Sequence, residues 1–146
     1  MKKYGLIGYP LGHSFSEKYF TEKFKTEDCE YSLFPIQHLS DLPELLANEK
    51  DLVGLNVTIP HKIGIMFYLD EVDKDAQVID AVNCIKVTHH HSVKSIFSGE
   101  LCTLNAHKLK LIGYNTDAYG FKNSLKPLLE NHHKKALILG TGGAAK

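Results

Sequence analysis

The run Leu52–Val57 is almost wholly apolar, and it gives way at once to polar groups within Asn56-Val57-Thr58-Ile59-Pro60-His61-Lys62. Such a run suits a strand of a parallel sheet, buried on both faces. The polar groups that follow it must then lie at the sheet's edge. Four more junctions have the same character. They are Gly8-Tyr9-Pro10-Leu11-Gly12-His13-Ser14-Phe15-Ser16, Ala81-Val82-Asn83, Gly113-Tyr114-Asn115-Thr116-Asp117 and Gly140-Thr141-Gly142-Gly143-Ala144-Ala145-Lys146. Each follows an apolar stretch. Ligands of open α/β sheets bind outside the carboxyl ends of the strands, so five such junctions predict a polar site at one edge.

The spacing predicts strands over Lys3–Tyr9, Glu30–Pro35, Leu52–Val57 and Ala81–Thr88. It predicts helices over Ser14–Lys25, Ser40–Asn48, Pro60 to about Leu69, Asp73–Asp80 and Thr116–Glu130, the last bent at Pro127. A hairpin through Ser92–Phe97 and Lys108–Tyr114 follows the fourth strand, and a new strand is expected at Ala136–Gly140. Strands alternating with helices give an α/β fold. Its sheet is expected to be mainly parallel, partly mixed and covered by helices on both faces. The expected organisation is a domain over 1–117, a linker helix over 118–134 and the start of a dinucleotide-binding domain over 135–146. One βαβ unit needs about 30 residues, and ten remain from Leu137, so the chain reads as a fragment in which that domain is not completed.

Composition narrows the function. Seventeen Lys balance seventeen Asp plus Glu, and Arg is absent. That argues against a nucleic-acid surface, which is usually basic. The three cysteines, Cys29, Cys84 and Cys102, form no Cys-x-x-Cys motif, so free thiols in a reducing compartment are expected. The apolar start of the chain is too short for a signal segment or membrane span. A soluble, cytoplasmic protein is the expectation.

Several residues can carry chemistry. Ser14 and Ser16 stand where a loop enters a helix, a place that favours an anion. Ser14 is equally suited to be the helix cap. Lys62, in the first turn of the expected third helix, is opposed in its ammonium form by the helix dipole and favoured by a nearby carboxylate. Asp117 begins a helix after a strand and can be that carboxylate. Asn56, Thr58, Asn83 and Asn115 fall at strand ends, and a ring of amides suits a polyhydroxylated ligand. Gly140, Gly142, Gly143 and Ala144 open a phosphate cradle of the dinucleotide-binding kind. His89-His90-His91 is a poor metal site, because adjacent side chains of an extended segment point in alternating directions.

Taken together, these motifs resemble the shikimate dehydrogenase family over nearly the whole chain. The family's Gly-x-Pro-x-x-His-Ser-x-Ser loop is matched by Gly8 to Ser16, and its Asn-Val-Thr-x-Pro-x-Lys stretch by Asn56 to Lys62. Ala81 to Cys84, Gly113 to Asp117 and Gly140 to Ala144 match three further family segments. The resemblance implies NADP-linked interconversion of 3-dehydroshikimate and shikimate, in aromatic amino-acid biosynthesis. It implies that Ser14 and Ser16 bind the substrate carboxylate and that Thr58, Asn83 and Asp117 bind ring hydroxyls. Lys62 and Asp117 form the implied catalytic pair, with Lys62 also touching substrate. Gly140, Gly142, Gly143 and Ala144 hold the implied cofactor. Cys84 departs from the family's threonine, and the stretch His89–His107 is longer than the family hairpin needs. The remainder of the nucleotide domain is not in the chain, so the chain alone is expected to be inactive. Two alternatives stay open: a shikimate-binding module without catalysis, and a dehydrogenase that acts on quinate or uses NAD. The oligomeric state is left open.

Overall fold

In the computed structural model, which describes residues 1–12, 14–90, 93–97, 100–104 and 108–140, the chain forms one six-stranded sheet with helices on both sides. The strands are β1 (Lys2–Ile7), β2 (Cys29–Phe34), β3 (Leu52–Val57), β4 (Glu71–Val72), β5 (Cys84–His90) and β8 (Lys108–Tyr114), in the order β2-β1-β3-β5-β8-β4. Pairs β1–β2, β1–β3 and β4–β8 are parallel, whereas β3–β5 and β5–β8 are antiparallel. The sheet is therefore mixed. Among the described residues, β6 (Val93–Phe97) pairs with β7 (Glu100–Leu104), while β8 pairs with β5, so the hairpin expected between Ser92–Phe97 and Lys108–Tyr114 is not formed: each of these segments has another strand as its partner. The β6–β7 pair lies inside the long His89–His107 stretch.

The helices are α1 (Phe15–Lys23), α2 (Leu42–Asn48), α3 (Lys74–Ile79) and α4 (Asp117–Leu125). On one face of the sheet, Ile7, Leu55, Val57, Ile85, Val87 and Leu111 pack against Leu42 of α2, Ile65 and Ala76 of α3 as the main core. On the other face, α1 covers β2 and β1. Phe20 stacks on Tyr31 with ring centroids 4.7 Å apart, and Phe24 packs on Tyr4 at 5.3 Å.

Two expected elements are absent. No α-helix follows Pro60. The segment turns, and a short 3₁₀ helix spans Gly64–Tyr68. Buried His61 is the cause: its Nε2 bonds the Ile36 carbonyl at 2.7 Å, which holds the turn against the core. Residues 136–140 form no strand among the described residues; Leu137, Ile138 and Leu139 are exposed and no neighbouring strand pairs with them. A strand without a partner has no ladder to satisfy its backbone. The expected helix over Thr116–Glu130 is shorter, with α4 ending at Leu125 and a 3₁₀ turn over Lys126–Leu128 carrying Pro127.

Candidate active site

The carboxyl ends of β1 and β3 lie side by side because Gly8 allows it. A Cβ there would stand 2.4 Å from Thr58 Cγ2 and 2.9 Å from the Ile59 carbonyl. Backbone bonds clamp the same corner: Thr58 N–H donates to Ile7 O at 2.9 Å, and Tyr9 N–H to Ile59 O at 2.9 Å. The segment carrying Asn83 then threads between three elements. Val57 N–H donates to Asn83 O, Val82 N–H to Lys62 O and Asn83 N–H to Tyr114 O, at 2.8, 2.8 and 3.0 Å. Three junctions far apart in sequence thus meet at one edge.

The meeting point is a charged pair. Lys62 Nζ contacts Asp117 Oδ2 directly. The lysine side chain is 16% exposed and the aspartate 48%, so the carboxylate stands at the rim while the amine lies deeper. The other carboxylate oxygen accepts from Asn83 Nδ2 at 2.7 Å. Asn83 is itself buried. Its Oδ1 accepts from Thr116 N–H at 2.9 Å, and its Nδ2 also reaches Thr116 Oγ1 at 2.9 Å. Its amide therefore fixes the direction of the Asp117 carboxylate. Asn115 ties down the same loop, donating to Ala81 O at 3.0 Å and accepting from Ala118 N–H at 3.2 Å. The dipole argument for Lys62 fails because no α-helix begins there; its setting comes from Asp117 and the clamped turn.

The opposite wall holds the serines. Ser14 caps α1: its Oγ accepts from Glu17 N–H at 3.1 Å. A cap uses an oxygen lone pair, so the hydroxyl proton stays available to a ligand. Capping and binding are compatible in one residue. Ser14, Ser16, Asn56, Thr58, Lys62, Asn83 and Asp117 line one cavity of about 430 Å³. Asn56 Oδ1 accepts from the Tyr31 hydroxyl at 2.9 Å. Tyr31 and Thr116 were not anticipated as site residues. Their contacts join positions 25 and 33 residues apart, which no local motif signals.

A larger cavity, about 930 Å³, lies at the other end of the sheet, near Met1, Leu46, Val53, His89 and Leu109. Its walls are mainly hydrocarbon, with Lys2, Asp28, Lys50 and Asp51 among its lining, and it has none of the hydroxyl and amide side chains that line the first. His89 is occupied there, with Nε2 bonded to Leu52 O at 2.7 Å. Among the described residues, no group of His, Cys, Asp and Glu is placed to hold a metal ion. No helix among them is long and apolar enough to cross a membrane. Cys29 and Cys84 are free thiols, and burial pushes the Cys84 thiol up. Of the glycine-rich loop, Gly140 is described, at φ +119°, a backbone conformation that favours glycine. Gly142, Gly143 and Ala144 lie outside the described residues, as do His13 and His91.

The sequence pattern of the shikimate dehydrogenase substrate binding domain matches residues 6–85. That stretch holds Ser14, Ser16, Thr58, Lys62 and Asn83; Asp117 lies beyond it and is brought in by the fold. The NADP(+) shikimate dehydrogenase of Methanocaldococcus jannaschii is 40% identical, over 99% of this chain and 46% of that protein. The crystal structure of shikimate dehydrogenase 1 from Peptoclostridium difficile is similar with a TM-score of 0.74 and 33% identity, over 99% of this chain and 48% of that one. Shikimate 5-dehydrogenase from Thermus thermophilus, solved in complex with shikimate, is similar with a TM-score of 0.73 and 29% identity, over 99% of this chain and 49% of that one. The chain spans about half the length of the relatives it matches. The matched pattern covers more than half of the 146 residues, and the chain belongs to the shikimate dehydrogenase family through its substrate-binding domain.

Proposed function

We propose that these residues bind shikimate and 3-dehydroshikimate and move the proton in their NADP-dependent interconversion. The observation that carries this reading is the contact of Lys62 with Asp117 at the rim of a cavity whose other polar walls are hydroxyls and amides. A polyhydroxylated ring acid needs such a surface: donors for its carboxylate at one end, and groups that both donate and accept for its hydroxyls. Ser14 and Ser16 serve the carboxylate. Thr58 and Asp117 serve ring hydroxyls, and Asn83 joins them while steering Asp117.

The reacting oxygen rests against both Lys62 Nζ and the Asp117 carboxylate. When the alcohol becomes a ketone, its hydroxyl proton passes to this pair. In the reverse direction, Lys62 Nζ gives a proton to the developing alkoxide. Positioned acid–base groups of this kind contribute about 10²–10⁴-fold to a rate. Asn83 keeps the carboxylate turned toward Lys62, so the amine stays aimed while its proton moves. We assign Gly140, Gly142, Gly143 and Ala144 to the cofactor; the positive φ of Gly140 fits a loop whose backbone must approach a pyrophosphate closely. When bound, NADP supplies or accepts the hydride. We read 1–117 as the substrate domain, 118–134 as a linker and 135–146 as the start of the nucleotide-binding part. That no residue of α4 is buried supports the linker reading. Free Cys29 and Cys84 suit a reducing compartment, and we place the activity in the cytoplasm.

Titration of the isotope-labelled chain with shikimate, followed by amide NMR, tests the reading. The cavity is open and its carboxylate half-exposed, so its ion-assisted bonds are weaker than desolvated ones. The expected affinity is about millimolar, near −4 kcal/mol. Shifts are expected at Ser14–Ser16, Thr58–Lys62, Asn83 and Asp117. No shifts at tens of millimolar, on the order of ten times that dissociation constant, would mean that these residues do not form a shikimate site.

A further inference from the structure

We propose that Tyr31 is a positioning residue for the cavity: its phenol fixes the Asn56 amide so that Nδ2 faces the ligand, reserving that wall for an oxygen acceptor. The inference rests on reading the cavity as a site for a ring acid of the shikimate kind. The two ends of an asparagine amide have nearly the same size, so hydrogen bonding decides which end points where. Here the Tyr31 hydroxyl donates to Asn56 Oδ1 at 2.9 Å. The oxygen is thereby committed to the protein, and the two Nδ2 protons are turned away from Tyr31. Asn56 lines the cavity and Tyr31 does not, so Tyr31 acts on a ligand through the side chain it holds rather than by contact. The opposite orientation would face a substrate carboxylate or carbonyl with another oxygen.

The arrangement needs a long, rigid side chain with a terminal donor. Tyr31 is on β2, Asn56 is on β3, and β1 lies between them. The Tyr31 ring crosses that strand on the face beneath α1. It is held there by stacking on Phe20 with planes 16° apart, and Phe20 packs in turn on Phe24 at 5.5 Å. Burial pushes the phenol up to about 12, against the lowering effect of a hydrogen bond from Ser16. The hydroxyl therefore remains a neutral donor throughout the physiological range. As a phenolate it would only accept, and its hold on Oδ1 would be lost.

Tyr31→Phe tests this, because it keeps the stacked ring and removes only the donor. In the ligand-free chain, the Asn56 side-chain amide signals should move in Tyr31→Phe while the Phe20 ring signals stay in place. Shikimate should bind about fivefold more weakly, the loss of roughly one ordinary hydrogen bond. Added to Asn56→Ala, Tyr31→Phe should have little further effect, because the amide it positions is gone. An unmoved Asn56 amide, unchanged affinity in Tyr31→Phe, or a full fivefold loss repeated on Asn56→Ala would each overturn the proposal. If the unaltered chain binds no shikimate, the functional reading fails instead, and the Asn56 amide signals still decide whether Tyr31 holds that side chain.

Discussion

Among single residues, Lys62 and Asp117 are held by neighbours that are not themselves charged. The clamped turn buries His61 toward the core and leaves Lys62 facing the cavity. Asn83 occupies one carboxylate oxygen of Asp117, so the other is left to Lys62. In a two-domain enzyme containing this chain, Lys62→Ala should lower kcat for shikimate oxidation by about 10²–10⁴-fold with little change in KM. Steady-state kinetics decide the point: a large rise in KM at unchanged kcat would make Lys62 a binding residue. The identities of Ser14, Ser16, Thr58, Lys62, Asn83 and Asp117 were legible in the sequence because each stands where an apolar run turns polar. Their causes were less legible. The helix expected at Lys62 is a turn, and Tyr31 and Thr116 act across strands, where no sequence period reports a contact.

At the level of elements, the cavity depends on two loops that turn sharply out of parallel strands. Ser14 holds the first by capping α1. Ser14→Ala should cost about 1 kcal/mol of stability through the lost cap, and it should also weaken shikimate binding through the lost hydroxyl. Thermal melts and titrations of the same variant separate the two effects; a normal melting temperature with normal binding would leave Ser14 without either role. Gly8 lets the two loops touch. Gly8→Ala should destabilise by about 1–3 kcal/mol, as overpacking does, since its methyl group would overlap Thr58 and the Ile59 carbonyl. Denaturant melts check this, and an unaltered midpoint would show that the strand ends can part freely. The bounds of β3 are legible in the sequence, because six mostly apolar residues between polar turns leave little choice. The reading of 136–140 as a strand rested on composition alone. Composition cannot supply the neighbour that a strand must pair with.

Over the whole molecule, the sheet places its polar edge and its charged supports at different ends. Lys3, near the start of β1, pairs with Glu49 and Glu30, at 2.7 and 2.9 Å, and these bonds raise its pKa above the ordinary 10.5. Tyr31 is likewise raised from 10.0 to about 12, chiefly by burial. Both groups hold their protons more tightly when folded. Their contributions are complete below the ordinary values and are lost as pH rises through the folded ones. Melting temperature should therefore fall as pH rises from 10.0 toward 12, and fall less steeply in Tyr31→Phe. An identical slope in that variant would contradict the burial argument. We propose that the substrate sits at the edge joining Ser14, Lys62 and Asp117, although the mainly apolar cavity at the opposite end is larger. A crystal structure of the chain soaked with shikimate tests it most directly. A ring hydroxyl within hydrogen-bond reach of both Lys62 Nζ and Asp117 is expected, with the carboxylate on Ser14 and Ser16. Shikimate seated instead near His89 and Leu109, with the polar edge empty, would contradict it.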